Sequence, residues 1–166
     1  MYDLTSIHRA ASVADAIAAL ERDPQAVVIA GGSDVLIKIR EGKLAGCRLV
    51  SIHGLDDELA GVKVLEGGDL AIGPLTTFHN VTYDPLIRTH VPVLGEAADM
   101  AGGPQLRAVG TIGGNVCNGV TSADTASTLM AFGARMHVQG PGGWRVVPIE
   151  GWYKGVGKVD LQPAEL

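Results

Sequence analysis

Ala26-Val27-Val28-Ile29-Ala30-Gly31-Gly32-Ser33-Asp34 is the stretch on which the fold turns. An apolar run enters a glycine pair, then a hydroxyl, then a carboxylate. The run reads as a buried strand and the pair as a sharp turn. Ser33 reads as the N-cap of a helix that carries Val35, Leu36 and Ile39 inward and ends near Gly42. Leu49 to Ile52 reads as the next strand, so the whole is a βαβ unit with parallel pairing. Upstream, Ser12-Val13-Ala14-Asp15 has the form of an N-cap followed by an acid at N3. Val13, Ala16, Ile17 and Leu20 then share a helical face, and Pro24 stops it.

Beyond His53-Gly54 the pattern changes. Val62 to Leu65, Gly67-Gly68-Asp69 and Leu70 to Gly73 predict a β-hairpin. Thr76 to Val81 and Val93 to Ala101 predict helices, with Pro85 and Pro92 at their boundaries. A further helix is expected near Ser122, carrying Ala126, Leu129 and Met130. Ala134 to Gln139 and Trp144 to Ile149, joined by Gly140-Pro141-Gly142-Gly143, predict a second hairpin. The expected architecture is α+β in two lobes. Residues 1–55 form a small βαβ lobe, residues 56–166 form a larger lobe of hairpins and helices, and the boundary falls in the polar segment 53–61.

The chain has 166 residues, 46% of them hydrophobic and 19% charged, which is a globular composition. Its 23 glycines follow no Gly-X-Y period, so collagen is excluded. Formal charge is −5, with no Lys/Arg cluster to offset it, which argues against a nucleic-acid or anionic-membrane partner. No apolar stretch is long enough to span a bilayer, and Met1-Tyr2-Asp3-Leu4 lacks the form of a signal peptide, so the expected location is cytoplasmic. Cys47 and Cys117 are far apart and His8, His53, His79, His90 and His137 show no ligand spacing, so no metal or iron–sulfur site is expected within the chain. Trp144, Trp152 and Tyr153 read as packing residues.

Two glycine pairs then stand out. The first is Ala30 to Asp34, where the Gly31, Gly32 and Ser33 N–H groups can point outward at a helix start. Each hydrogen bond to a charged oxygen is worth roughly 1.5–3 kcal/mol. The pattern is neither G-x-G-x-x-G nor a P-loop. The second is Thr111-Ile112-Gly113-Gly114-Asn115, followed by Cys117-Asn118-Gly119 and the polar residues Thr121, Ser122 and Asp124. A plain turn would explain the first, and a solvated loop with a capped helix the second. The functional reading makes them two walls of a diphosphate site, with Thr111 and the glycine amides on the anion and Asn115, Ser122 and Asp124 toward sugar or ring atoms. No catalytic acid, base or nucleophile is evident, so any chemistry belongs to a bound cofactor.

These segments resemble the FAD-binding subunits of molybdenum-containing hydroxylases. The resemblance covers the whole chain: Tyr2-Asp3, His8-Arg9-Ala10, Ala30 to Leu36, Ile72-Gly73, Gly103 to Arg107, Thr111 to Asn115, Asn118 to Asp124 and Gly155 to Val159. The Asn118 to Asp124 run is similar to the xanthine dehydrogenase branch. The resemblance implies the two-lobe FAD-binding fold of the vanillyl-alcohol-oxidase and CO-dehydrogenase flavoproteins. It implies that Val27, Val28, Ile29, Ala30, Gly31, Gly32, Ser33 and Asp34, with Thr111, Ile112, Gly113, Gly114 and Asn115, cradle the FAD pyrophosphate, and that Ser122 and Asp124 lie near the flavin. Electrons would reach FAD from [2Fe–2S] clusters on one partner subunit, reduced by a molybdopterin subunit acting in purine catabolism, and leave to NAD. Two departures accompany it: Ala108 stands where relatives carry Asn, and the chain ends at Leu166, before the family's C-terminal domain. The rival expectations are a non-redox nucleotide-binding or docking module, and an FAD oxidoreductase without molybdenum partners.

Overall fold

The computed structural model describes residues 2–120 and 122–166. β1 (Leu4–Arg9), α1 (Val13–Arg22), β2 (Val27–Ile29), α2 (Val35–Arg40) and β3 (Cys47–Ser51) come first. The strands form a parallel three-stranded sheet in the order β1-β3-β2. Val27, Val28 and Ile29 pair with Leu49, Val50 and Ser51, so β2 has a sheet partner on one side only among the described residues. That edge position explains why the expected buried strand is only half-buried. α1 forms as its sequence dictates. The Ser12 side chain accepts from the Asp15 N–H, and Val13, Ala16, Ile17 and Leu20 are buried.

α3 (Asp56–Leu59) leads to the hairpin of β4 (Val62–Val64) and β5 (Leu70–Ile72). Five helices follow: α4 (Phe78–Tyr83), α5 (Pro85–His90), α6 (Pro92–Asp99), α7 (Pro104–Val109) and α8 (Ile112–Cys117). Prolines open three of them, because a first-turn N–H has no helical acceptor to lose. The helix expected near Ser122 is α9 (Ala126–Ala131), which starts later. β6 (Arg135–Gly140) and β7 (Gly143–Pro148) make the second expected hairpin. A 3₁₀ turn at Ile149–Gly151 and a small hairpin, β8 (Tyr153–Gly155) and β9 (Lys158–Val159), complete the order.

Three apolar clusters hold these elements. The first joins α1 to Val50, Ile52 and Leu55, and also takes Leu75 and Ala164 from much later in the chain. The second joins Phe78, Val81, Ile87, Leu94 and Ala98 to Ile112. The third joins Val116 to Val138, Val147, Ile149 and Trp152. α8 therefore pins two cores, through Ile112 at one end and Val116 one turn on. The Trp152 indole also donates to the Val116 carbonyl at 3.3 Å. Trp144, expected to pack, is 67% exposed on the solvent side of β7. The last residues cross back over the molecule: Leu166 and Gln139 exchange backbone hydrogen bonds at 2.8 Å, and Leu166 packs on the first cluster.

Candidate functional site

Along β2 the side chains alternate, and Val28 and Ala30 pack on the first cluster. Val27 and Ile29 therefore stand on the other face. The strand then breaks at Gly31, and Gly32 takes φ +79°, a backbone conformation that side chains resist. Ser33 is not the helix cap. Asp34 occupies the N-cap position with backbone already near helical values, and its side chain makes no capping bond. Among the described residues, the backbone N–H groups of Gly31, Gly32, Ser33, Asp34 and Val35 meet no acceptor in the chain. This is a run of unpaired donors at the foot of α2, with Gly32 itself buried.

The second segment lies directly against the first. A methyl group built on Gly31 would sit 1.7 Å from the Val109 carbonyl oxygen and 3.3 Å from the Gly110 nitrogen. Backbone rests on backbone there, and no side chain fits between. At the other end of α2, the Lys38 ammonium donates to Asn118 Oδ1 at 2.7 Å. One contact joins the segment before α2 to the segment before α8, and the other joins α2 to the C-cap of α8.

The inner structure of the second wall differs from expectation. Residues read as a loop, Gly113-Gly114-Asn115, are part of α8. Their N–H groups are already paired. Ile112 donates to Thr76 O at 3.0 Å, Gly113 to Pro74 O at 2.9 Å, Gly114 to the Thr111 hydroxyl at 3.1 Å, and Asn115 to Thr111 O at 3.0 Å. The buried Thr111 is thus the N-cap of α8, and Ile112 is a core residue. Gly113 is a packing glycine, since a Cβ there would stand 2.5 Å from Pro74 Cβ. Gly114 is exposed, with only the Thr111 hydroxyl, at 3.0 Å, near an added Cβ.

Asn115, expected to face sugar or ring atoms, instead ties α8 to the following segment. Its Nδ2 donates to Asp124 Oδ2 at 3.1 Å, and its Oδ1 accepts from the Thr125 N–H at 3.1 Å and the Thr125 hydroxyl at 2.8 Å. Asp124 is thereby brought beside the second wall, with its carboxylate exposed. Ser122 is exposed and makes no side-chain hydrogen bond among the described residues, and Thr121 lies outside them. A surface groove of about 480 Å³ lies elsewhere, lined by Val93, Glu96 and Ala97 of α6, by its C-cap Met100 and by Thr128. Sequence reasoning missed Lys38, Asn118 and the Val109–Gly110 backbone. Nothing in their residue types marks a contact across so long a stretch of chain.

The family described as the FAD binding domain in molybdopterin dehydrogenase matches residues 3–166. The chain belongs to that family. It is 45% identical, over all of its 166 residues and 56% of the relative, to the putative xanthine dehydrogenase FAD-binding subunit of Escherichia coli (strain K12). It is 35% identical to the carbon monoxide dehydrogenase medium chain of Afipia carboxidovorans, covering 96% of this chain and 55% of that one. Among solved structures, carbon monoxide dehydrogenase from Hydrogenophaga pseudoflava superposes with a TM-score of 0.94 at 29% identity, over all of this chain and 57% of that one. The chain thus spans just over half the length of these relatives. The family's α+β fold is the one the resemblance implied, and its cofactor is FAD. The residues present suit that cofactor's charged middle: a doubly negative diphosphate requires clustered donors and bare backbone, and the 31–35 strip, seated on Val109 and Gly110, offers both.

Proposed function

We propose that the chain holds FAD across the opening between the foot of α2 and the foot of α8, as the flavin-bearing electron-transfer module of a xanthine dehydrogenase-like molybdenum hydroxylase. The observation that carries this reading is the seating of Gly31 on Val109 and Gly110, which brings the two glycine segments together and leaves the neighbouring N–H strip open.

When bound, FAD supplies reversible two-electron redox chemistry. The chain's own groups bind and orient. The N–H groups of Gly31, Gly32 and Ser33 donate to one side of the diphosphate, helped by the Ser33 hydroxyl. The edge of β2, from Val27 to Ala30, lies alongside. On the other side, the start of α8, from Thr111 through Ile112 and Gly113 to Gly114, forms a wall that acts by shape, because its N–H groups have internal partners. Asn115 holds Asp124 where its carboxylate can accept from sugar or ring groups, with Ser122 adjacent. Residues 1–55 and 56–166 are the two lobes that meet at this opening. In the full assembly, molybdopterin and [2Fe–2S] clusters sit on partner subunits, and NAD accepts the electrons. The identity to the Escherichia coli subunit supports the xanthine branch over the carbon monoxide branch.

Gly114 provides the test. Gly114→Ala adds a methyl to the wall, and the fold has only the Thr111 hydroxyl to move. Stability should change by less than about 1 kcal/mol, since the helix-propensity gain offsets a disturbed cap. The purified chain should be yellow and release FAD on heating, and the variant should retain much less flavin while its melting temperature moves by no more than about 4 °C. Equal flavin in both proteins defeats the site. A colourless wild-type chain that takes up no added FAD defeats the reading.

A further inference from the structure

We infer that Lys38 and Asn118 are positioning residues that set the separation of the two cradle walls. This rests on the FAD reading above. Among the described residues, the Lys38 Nζ to Asn118 Oδ1 bond, at 2.7 Å and part-buried, is the one side-chain hydrogen bond joining the β2–α2 unit to α8. At the feet of the two helices the contact is van der Waals only, with Gly31 resting on Val109 and Gly110. Such a seat stops the walls from approaching further but does not stop them from parting. The lysine bond supplies the opposing restraint from the far end.

The local chemistry favours that role. Asn118 is the C-cap of α8, where helix carbonyls carry partial negative charge and an ammonium is stabilised. The bond is charge-assisted, and partial burial limits its screening by salt. The Asn118 end is itself anchored. The next residue, Gly119, accepts from the Gly157 N–H at 2.9 Å, and a Cβ at Gly119 would stand 2.8 Å from the Lys158 nitrogen. The turn between β8 and β9 therefore holds the end of α8 still, so a pull from Lys38 orients α2 and does not displace α8. Neither Lys38 nor Asn118 lies in the glycine segments, so neither acts on the diphosphate directly.

The experiment is FAD titration of the flavin-stripped chain, read by flavin fluorescence, alongside a thermal melt. Lys38→Met and Asn118→Leu should each weaken FAD binding about tenfold, the loss of one charge-assisted bond. The double variant should bind no more weakly than either single one, because a bond broken once cannot be broken again. Asn118→Asp restores an acceptor for the ammonium and should bind within about twofold of wild type. This rescue separates positioning from general damage to the fold. Wild-type affinity in both single variants, multiplying effects in the double variant, or failure of Asn118→Asp to rescue would each overturn the inference while leaving the cradle in place. Failure of wild type to bind FAD would instead remove the reading on which it rests.

Discussion

Gly31 and Gly114 show how differently two glycines of matching motifs can act. Both pairs were legible as places where backbone comes close to something. What comes close was not: Gly31 meets another stretch of this chain, Gly113 meets Pro74, and only Gly114 faces open space apart from one hydroxyl. A sequence marks the need for a missing side chain without naming the neighbour that requires it. Asn115 teaches the same lesson for polar residues. It was legible as a residue that must be paired or exposed, and its partners turned out to be Asp124 and Thr125. Thr125 is fully buried, and both its N–H and its hydroxyl rely on Asn115 Oδ1. Asn115→Ala should therefore cost roughly 1–3 kcal/mol through orphaned donors. Urea unfolding would measure it, and a loss below about 0.5 kcal/mol would show that the two donors find other acceptors.

Elements with a local grammar were readable. α1 carries a cap, an acid at N3 and a clear apolar stripe, and the two expected hairpins carry glycine turns between alternating strands. Ser12→Ala should lower stability by about 1 kcal/mol, visible as a shifted denaturation midpoint, since it removes the acceptor for the Asp15 N–H. α8 was unreadable for a physical reason. Two glycines in a six-residue helix give it poor intrinsic propensity, and it exists because Ile112 and Val116 bury into separate cores while Pro74 and Thr76 accept its first N–H groups. β1 was missed as well. Its residues, Leu4 to Arg9, include polar ones on both sides of the strand, and it is strand because β3 offers it a ladder.

At the scale of the molecule, the closing segment does most to tie distant parts together. Arg145 on β7 forks onto both Glu165 carboxylate oxygens, at 2.7 and 2.6 Å, and its guanidinium also donates to the Asp160 carbonyl at 2.6 Å. The Arg145 bond holds the Glu165 carboxyl below its ordinary range, helped by the Gln162 N–H. A lowered carboxylate pKa means that this stabilisation is complete above the unfolded value, roughly 4.3, and fades as the pH falls through the lower, folded one. Melting temperature should therefore drop on acidification below about pH 4.3, and Glu165→Gln should be less stable at neutral pH and show a weaker acid dependence. Parallel acid profiles for the two proteins would assign the drop to other groups. This cross-tie joins the β6–β7 hairpin to the first apolar cluster through Ala164 and Leu166. It was invisible in the sequence, where the last residues carry no periodic pattern.

The one-sided pairing of β2 has a consequence for how the protein is made. A flank with unmatched amides is a template on which a second polypeptide can grow a ladder. On the proposed reading FAD would lie along that flank, so flavin-stripped protein should scatter more light on incubation than flavin-loaded protein, and equal scattering would unlink the two.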